Sequence, residues 1–405
     1  MCTEARKITS PMPLVAAIAT LCLLTWSAAA IAQDVQLGGK AKLTIKGFIS
    51  ATYFAQNQNF AFGNGQNAEF PLPPEFSTDK WFFDGDVRNT RLTLAFTGPE
   101  VKKLKFGATL EADFFGGFNG AGAFSDEQPN PRLRLAFIDV IRGKTTFRLG
   151  QQWSPLFGNV PKSLTHVAFP LGYGSAGDVG WRFPGLYIYH NLGAADASVK
   201  KKVSFAVMRG SWSGPGNNLD SGSAGNASFG PQIELRFDFN GKTGGSGAWG
   251  FYVVGHWDEK DLSGANATAP NDSLNGTAVE IGASYSQGAF SIQGNAYTGT
   301  AIGQQFGHIT QFGDISGWGA WIQPGVKFNS ELSGYLFFGL DDPDDADVFA
   351  AGQSRLKNQM IAASVQWASG PYAFGVEWLH ATLTSGAAGT KTDGDQISAS
   401  AMYKF

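Results

Sequence analysis

From Lys40 to the C-terminus, apolar and polar residues alternate in segments of about ten residues. In 88–97 (RNTRLTLAFT), Leu92, Leu94 and Phe96 fall on one face of an extended chain, and Arg91, Thr93 and Ala95 on the other. Successive side chains of a strand point to opposite sides, so this pattern predicts a strand with one apolar face. The same period sets Phe106, Ala108, Leu110, Ala112 and Phe114 against Lys105, Thr109, Glu111 and Asp113. It sets Leu133, Leu135 and Phe137 against Arg132 and Arg134, and Ile233, Leu235, Phe237 and Phe239 against Glu234, Arg236 and Asp238. Val279, Ile281, Ala283 and Tyr285 likewise oppose Glu280 and Ser284. Read along its length, the chain predicts sixteen strands, over 41–56, 88–97, 105–115, 132–141, 145–153, 179–191, 202–212, 231–239, 248–258, 277–286, 289–299, 317–328, 331–341, 358–368, 372–384 and 395–405.

The connections alternate in length. Those at 98–104, 142–144, 192–201, 240–247, 287–288, 329–330 and 369–371 are short. Those at 57–87, 116–131, 154–178, 213–230, 259–276, 300–316, 342–357 and 385–394 are long. An even number of strands with short turns at one end and long loops at the other is the pattern of a bacterial outer-membrane β-barrel. The fold class expected is therefore all-β, a transmembrane antiparallel β-barrel of 16 strands. Arg or Lys on the lipid face at mid-membrane costs about 2–4 kcal/mol, so the charged face must line a wet lumen. Turned inside out, the same pattern would serve a soluble barrel; both termini favour the membrane.

At the N-terminus, Arg6 and Lys7 precede an apolar run from Leu14 to Trp26, and Ala30-Ile31-Ala32 is an A-x-A cleavage signal. Residues 1–32 read as a cleaved signal peptide, exporting a single barrel domain of residues 33–405. The run is shorter than the ~20 residues of a membrane span, and Leu21 stands before Cys22 where lipidation needs a small residue. Both cysteines, Cys2 and Cys22, lie in this segment, which leaves a mature chain without disulfides or thiol chemistry. At the other end, Ile397, Ala399, Ala401, Tyr403 and Phe405 alternate to a final Phe. This resembles the terminal strand that Gram-negative outer-membrane proteins present to the barrel assembly machinery, and it is placed to pair with the first strand. Aromatics at strand ends (Tyr53, Trp81, Trp153, Trp212, Trp249, Trp257, Trp318, Trp367, Trp378, Tyr403) fit interfacial girdles.

Composition sharpens this picture. Charged residues are 16% of the 405, against the roughly 25% usual for soluble domains. A net charge of -3 speaks against a nucleic-acid partner. Gly172-Tyr173-Gly174-Ser175-Ala176-Gly177 matches G-x-G-x-x-G, but it precedes a strand where a nucleotide site needs a helix, so it reads as a turn. The five histidines show no H-x-x-x-H spacing and no nucleophile elbow occurs; neither a metal, a cofactor nor an enzyme is expected. Asp341, Asp342, Asp344, Asp345 and Asp347 crowd one long loop. They read as a solvated acidic loop, with divalent cations bridging lipopolysaccharide phosphates as the alternative.

Charge beside the 25-residue stretch 154–178 is unbalanced. Such long structureless connections are usually functional, and we expect this one to fold into the lumen as a constriction loop. It carries Lys162 and His166 and no carboxylate before Asp178. Arg91, Arg132, Arg134 and Arg148 face inward from the second, fourth and fifth strands, Arg182 opens the sixth, and Glu111 and Asp113 interrupt them from the third. The arginines either pair with those carboxylates and stiffen the wall, or present an excess of positive charge to anions passing the narrowest section.

The runs RLRLAFIDV and TTFRLGQQWSPLFGNVP (within Arg132 to Pro161), DVRNTRLTLAFTGP (Asp86 to Pro99) and EADFFG (Glu111 to Gly116) resemble the trimeric porin superfamily of Gram-negative bacteria. They are most similar to DcaP-type porins, associated with dicarboxylate uptake. The resemblance implies a homotrimer of sixteen-stranded barrels, an inward loop after the fifth strand and a basic constriction in which Arg91, Arg132, Arg134 and Arg148 are pore arginines. It departs in one respect: DcaP-type chains commonly begin with a helical coiled coil, whereas only Gln33 to Gly39 precedes the first strand here, so trimerisation would rest on the barrel walls. The expected function is an outer-membrane porin passing small hydrophilic solutes, with a preference for anions such as dicarboxylates. The alternative is a non-conducting barrel serving as an enzyme or a surface adhesin.

Overall fold

The computed structural model describes residues 32–63, 65–72, 81–117, 129–194, 196–210, 227–228, 230–261 and 273–405. Residues 1–31 of the expected signal segment 1–32, and Trp212, lie outside them. Among the described residues nineteen strands run in chain order: β1 (Gln33–Gln36), β2 (Lys42–Gln56), β3 (Phe82–Asp86), β4 (Arg91–Thr97), β5 (Lys105–Asp113), β6 (Arg132–Arg142), β7 (Thr145–Trp153), β8 (Arg182–Leu192), β9 (Val199–Met208) and β10 (Ala227–Ser228). They continue as β11 (Gln232–Lys242), β12 (Ala248–Asp261), β13 (Ser273–Gln287), β14 (Phe290–Thr300), β15 (Ser316–Lys327), β16 (Leu332–Pro343), β17 (Arg355–Ser369), β18 (Tyr372–Ser385) and β19 (Thr390–Lys404).

Seventeen of these segments form a wall of sixteen strands, because β3 and β4 pair with successive parts of β2 and together make its second strand. β1 and β10 are short additions to β2 and β12. The barrel closes where β19 pairs antiparallel with β2, from Gln396↔Gln56 to Lys404↔Phe48. Phe405 continues this ladder: its N–H donates to Gly47 (3.0 Å), and its carbonyl accepts from Gly47 N–H (2.9 Å). Closure leaves no open edge, which lipid requires because it offers no hydrogen bonds to unpaired backbone.

Exposure follows the alternation over most of the wall. Leu92, Leu110, Leu133, Leu149, Val279 and Ile281 are exposed on the outside, and Thr93, Asp113, Arg134, Glu234 and Glu280 are buried inside. Three places depart from the sequence pattern. Between Glu111 and Ala112 the β5–β6 register shifts, so Arg134 is an extra residue in β6. Such a bulge reverses the faces beyond it. Phe137 therefore turns inward and is buried, while Ile138 points out. Trp153 is the second departure. It lies past Gly150, whose φ of 133° interrupts the strand geometry. Its ring stacks on Phe157 inside the barrel at 3.8 Å and is not part of an outer girdle. Third, the connection predicted at 385–394 is a tight hairpin, since Ser385 pairs with Thr390.

The inner face of β15–β18 carries a large apolar patch beside the buried Asp341 and Glu377. Trp321, Phe337, Met360, Ala362, Leu379 and Ala381 form one buried cluster with Phe60 and Ala68 of the first long loop and Leu171 and Ala176 of the 154–178 loop. Leu383 joins Ala61, Phe70 and Ile309 in another. An apolar wall facing water costs roughly 25 cal/mol per Å², so loops that cover it fold inward.

The aspartate-rich segment is spent on local structure. Asp344 caps a short helix, α1 (Asp345–Ala350), by accepting from Ala346 and Asp347 N–H. Asp347 accepts from Ser316 N–H (3.0 Å), Asp342 pairs with Lys357 (3.0 Å), and Asp341 accepts from the Tyr297 hydroxyl (2.8 Å). Among the described residues no group of three or more His, Cys, Asp or Glu is placed to hold a metal.

Candidate pore constriction

The 154–178 loop begins and ends at one point of the wall, where Ser154 N–H donates to Trp181 O (2.7 Å). In between, it touches inward-facing groups around the barrel. Leu156 N–H donates to Glu234 on β11 (2.7 Å), and Arg236 donates to Pro155 O (2.9 Å). Asn159 exchanges hydrogen bonds with Asn295 on β14 (3.1 and 3.2 Å), and Lys162 exchanges backbone bonds with Gln323 on β15 (2.7 and 3.0 Å). His166 Nδ1 lies 2.7 Å from Glu377 on β18, and the Thr165 hydroxyl lies 2.7 and 2.9 Å from Ser398 and Ser400 on β19. Asn89, before β4, donates to Thr165 O (2.6 Å) and accepts from Ala168 N–H (3.0 Å). A segment bonded to β11, β14, β15, β18 and β19 in turn runs inside the barrel.

Gly172, Gly174 and Gly177 take φ of 75°, 70° and 89°, a region that favours glycine. The G-x-G-x-x-G run is thus a compact turn: Ala176 N–H returns to Gly172 O at 2.7 Å, and Gly177 packs against the backbone of Ala320.

The tip of this loop depends on the His166–Glu377 contact, which is almost wholly buried. Glu377→Ala leaves His166 without this partner, at a cost of about 1–3 kcal/mol. The expected result is a noisier single-channel current of raised unit conductance. A trace matching the wild type would show that this contact does not seat the loop.

Opposite the apolar wall lies a basic one. Arg132 grips Asp113 with two bonds (3.0 and 2.7 Å). Arg134 bridges Asp113 (2.7 Å) and Glu111 (2.9 Å), and Arg91 lies 3.8 Å from Glu111. Arg182 forms no ion pair among the described residues; its guanidinium lies over the rings of Trp181 (4.4 Å) and Trp153 (4.8 Å). Arg132 also lies over Phe169 (4.8 Å) and Phe115 (5.3 Å), and Arg134 over Trp153 (5.7 Å). Ring faces attract cations and hold these guanidinium groups flat. Three arginines thus share two carboxylates, and Arg182 stands beside them without an ion pair among the described residues. Arg134 and Asp113 are sealed in the wall, whereas Arg132, Arg91 and Glu111 keep 17, 16 and 14% of their side-chain surface.

The structure therefore brings together Arg91, Glu111, Asp113, Arg132, Arg134 and Arg182. It does not bring in the other three predicted residues. Arg148 is gripped by Asp139 (2.7 and 2.8 Å) and lies 3.5 Å over Phe137. Asp139 is five residues along β6 from Arg134, about 16 Å at the usual strand rise. The bulge turned Asp139 inward, which regular alternation from Arg132 could not reveal. Lys162 lies across the barrel, 5.4 Å from the Tyr335 ring, and His166 is held by Glu377. The aromatic backing of Phe115, Trp153, Phe169 and Trp181 was also missed. Its trace in the sequence is that Phe115, Trp153 and Trp181 stand at strand ends beside inward charges; Phe169, within the 154–178 loop, gives no such sign.

A family model for Gram-negative porins matches residues 15–405. The chain belongs to the Gram-negative porin family. It is accordingly an outer-membrane channel for passive diffusion of solutes. Its fold is similar to the DcaP outer-membrane channel of Acinetobacter baumannii, at 16% identity and a TM-score of 0.68, covering 93% of this chain and all of that one. It is also similar to OmpF of Salmonella typhi (12%, TM-score 0.56, covering 92% and 100%) and to OmpT of Vibrio cholerae (11%, 0.54, 92% and 100%). At these identities the likeness is one of fold. No curated protein sequence matches the chain. This porin differs from its sequence expectation chiefly in how much of the lumen is filled: packed loops cover the β15–β18 side, while Arg91 and Arg132 keep contact with water.

Proposed function

We propose that this porin favours small anions and passes them along the basic wall, with the 154–178 loop as its constriction. The observation that carries the reading is the excess of arginine over carboxylate in this wall: four to two overall, and two to one (Arg91 and Arg132 against Glu111) among the residues that keep solvent contact. Charged groups lining a narrow pore set its selectivity. Because the opposite half is occupied by packed loops, the passing ion stays close to Arg91 and Arg132. A dicarboxylate gains more than a monovalent ion from two such neighbours.

The remaining parts of the proposal concern assembly. Residues 1–32 act as the export signal, Phe405 presents the last strand to the barrel assembly machinery, and the exposed apolar wall meets lipid, lipopolysaccharide and two further copies in a homotrimer. OmpT of Vibrio cholerae, at a TM-score of 0.51, is described in a trimer form, which supports that stoichiometry. Reversal potentials across a planar bilayer in a potassium chloride gradient test the selectivity; the expected sign is that of chloride. A cation-selective sign overturns it. Three equal steps per insertion are expected of the trimer, and a silent protein would favour a non-conducting barrel.

A further inference from the structure

The 301–315 loop, between β14 and β15, is a second inward loop, and its backbone is unusual. Phe306, His308, Ile309 and Thr310 have φ of 62°, 57°, 55° and 53°. Left-handed conformations are normally taken by glycine, one residue at a time, and are least tolerated by β-branched residues. Three consecutive non-glycine residues, two of them β-branched, hold this geometry, and backbone strain of this kind persists only where the surroundings enforce it.

What enforces it is Arg355, the first residue of β17. Its Nε donates to Ile309 O and its Nη2 to Thr310 O, both at 3.1 Å. Its backbone N–H and carbonyl are bonded to Gln311 (2.9 and 2.8 Å), and Gln311 also donates to His308 O (2.9 Å). The left-handed turn presents both carbonyls to one guanidinium fork. Arg355 also lies 5.1 Å over Phe70, so it touches the first long loop as well. Among the described residues His308 is buried with no partner on either ring nitrogen; burial pushes its imidazole down to about 4, leaving it neutral and no competitor for Arg355.

The turn in turn places Gln305, Phe306 and Thr310 on the 154–178 loop. Gln305 O accepts from Gly180 N–H (2.6 Å), and its side-chain oxygen accepts from Trp181 N–H (3.1 Å) and the Ser154 hydroxyl (3.5 Å). Gln305 thus fastens both ends of that loop. Phe306 lies against Tyr173 (4.9 Å) and Trp181 (4.7 Å), the ring beneath Arg182. The Thr310 hydroxyl donates to Gly174 O (2.8 Å).

We propose that Arg355 is a positioning residue for the constriction: by holding His308, Ile309 and Thr310 left-handed, it presses the 301–315 loop onto the 154–178 loop and so sets the aperture. It acts through two loops and touches no solute. The inference rests on the constriction reading above, and its test is separable from it. Arg355→Met keeps the packing on Phe70 and removes both carbonyl bonds. In this background Ile309→Gly with Thr310→Gly relieves the strain at the two β-branched positions, because glycine adopts the left-handed region freely.

Single-channel recording of refolded trimers, with folding checked by heat-modifiable gel migration, is expected to separate the variants. Arg355→Met should show rapid current fluctuation and a unit conductance raised at least 1.5-fold, and the triple variant should return to the quiet wild-type level. Gln305→Ala, which cuts the link further along, should fluctuate as Arg355→Met does and gives the same readout if Arg355→Met fails to fold. Wild-type conductance and noise in folded Arg355→Met or Gln305→Ala, or no rescue by the two glycines, overturns the proposal. A silent wild-type protein would instead overturn the constriction reading itself.

Discussion

With Arg132 and Arg134 both replaced by Ala, the reversal potential in a salt gradient is expected to fall close to zero. The wall would then hold Arg91 and Arg182 against Glu111 and Asp113, two charges of each sign. A unit charge about 7 Å from a passing ion is worth about 0.6 kcal/mol in a water-like dielectric. At 0.1 M salt the Debye length is about 10 Å, which halves it. Two lost charges act with opposite sign on anions and cations, so the anion-to-cation ratio should drop roughly tenfold. Conductance should rise at the same time, since two long side chains leave the path. Asp113→Asn shifts the ratio the other way, and this opposite sign separates an electrostatic effect from a merely widened pore. An unchanged ratio in the double variant would remove the basic wall from the selectivity argument.

Asp113→Ala is expected to be the most damaging single change in this wall. Asp113 is fully buried, takes three hydrogen bonds from Arg132 and Arg134, and accepts from Phe115 N–H (3.2 Å). Arg134, with 3% of its side chain exposed, has Glu111 as its one other carboxylate partner among the described residues. Removing one partner of a buried pair leaves a charge without compensation and costs about 3–5 kcal/mol. Urea titration in detergent micelles should show the loss as a lower unfolding midpoint. Asp113→Asn keeps acceptor and shape and should lose less. Equal midpoints for Asp113→Ala and the wild type would mean that Arg134 finds water or another partner.

Much of the barrel is legible residue by residue. The runs at Arg91–Thr97, Lys105–Asp113 and Ser273–Gln287 alternate so regularly that strand, faces and membrane follow from them together. The strands around β6 and β7 are where such reading stops. One extra residue at Arg134 moves Phe137 and Asp139 to the inside, and nothing in the local pattern announces a bulge, because the sequence on both sides alternates equally well. Arg148 is therefore a convincing wall residue in sequence and a separate ion pair in space. The apolar lining of β17 and β18, Met360, Ala362, Leu379 and Ala381, is recognised only once the loops packed on it are in place.

The sequence alone determines the number of barrel strands, the side each charged residue of a regular strand takes and the alternation of turns and loops over most of the chain. These depend on a period of two and on lipid refusing charge, both of which act over a few neighbouring residues. Only the tertiary structure decides which charges meet. It pairs Arg134 with both Asp113 and Glu111, sends Arg148 to Asp139, and carries His166 across the lumen to Glu377. It also clamps the 154–178 loop with a loop some 130 residues further on. Those contacts come from register, from one bulge and from an apolar inner wall that needs covering, and none of these is a property of a short stretch of chain.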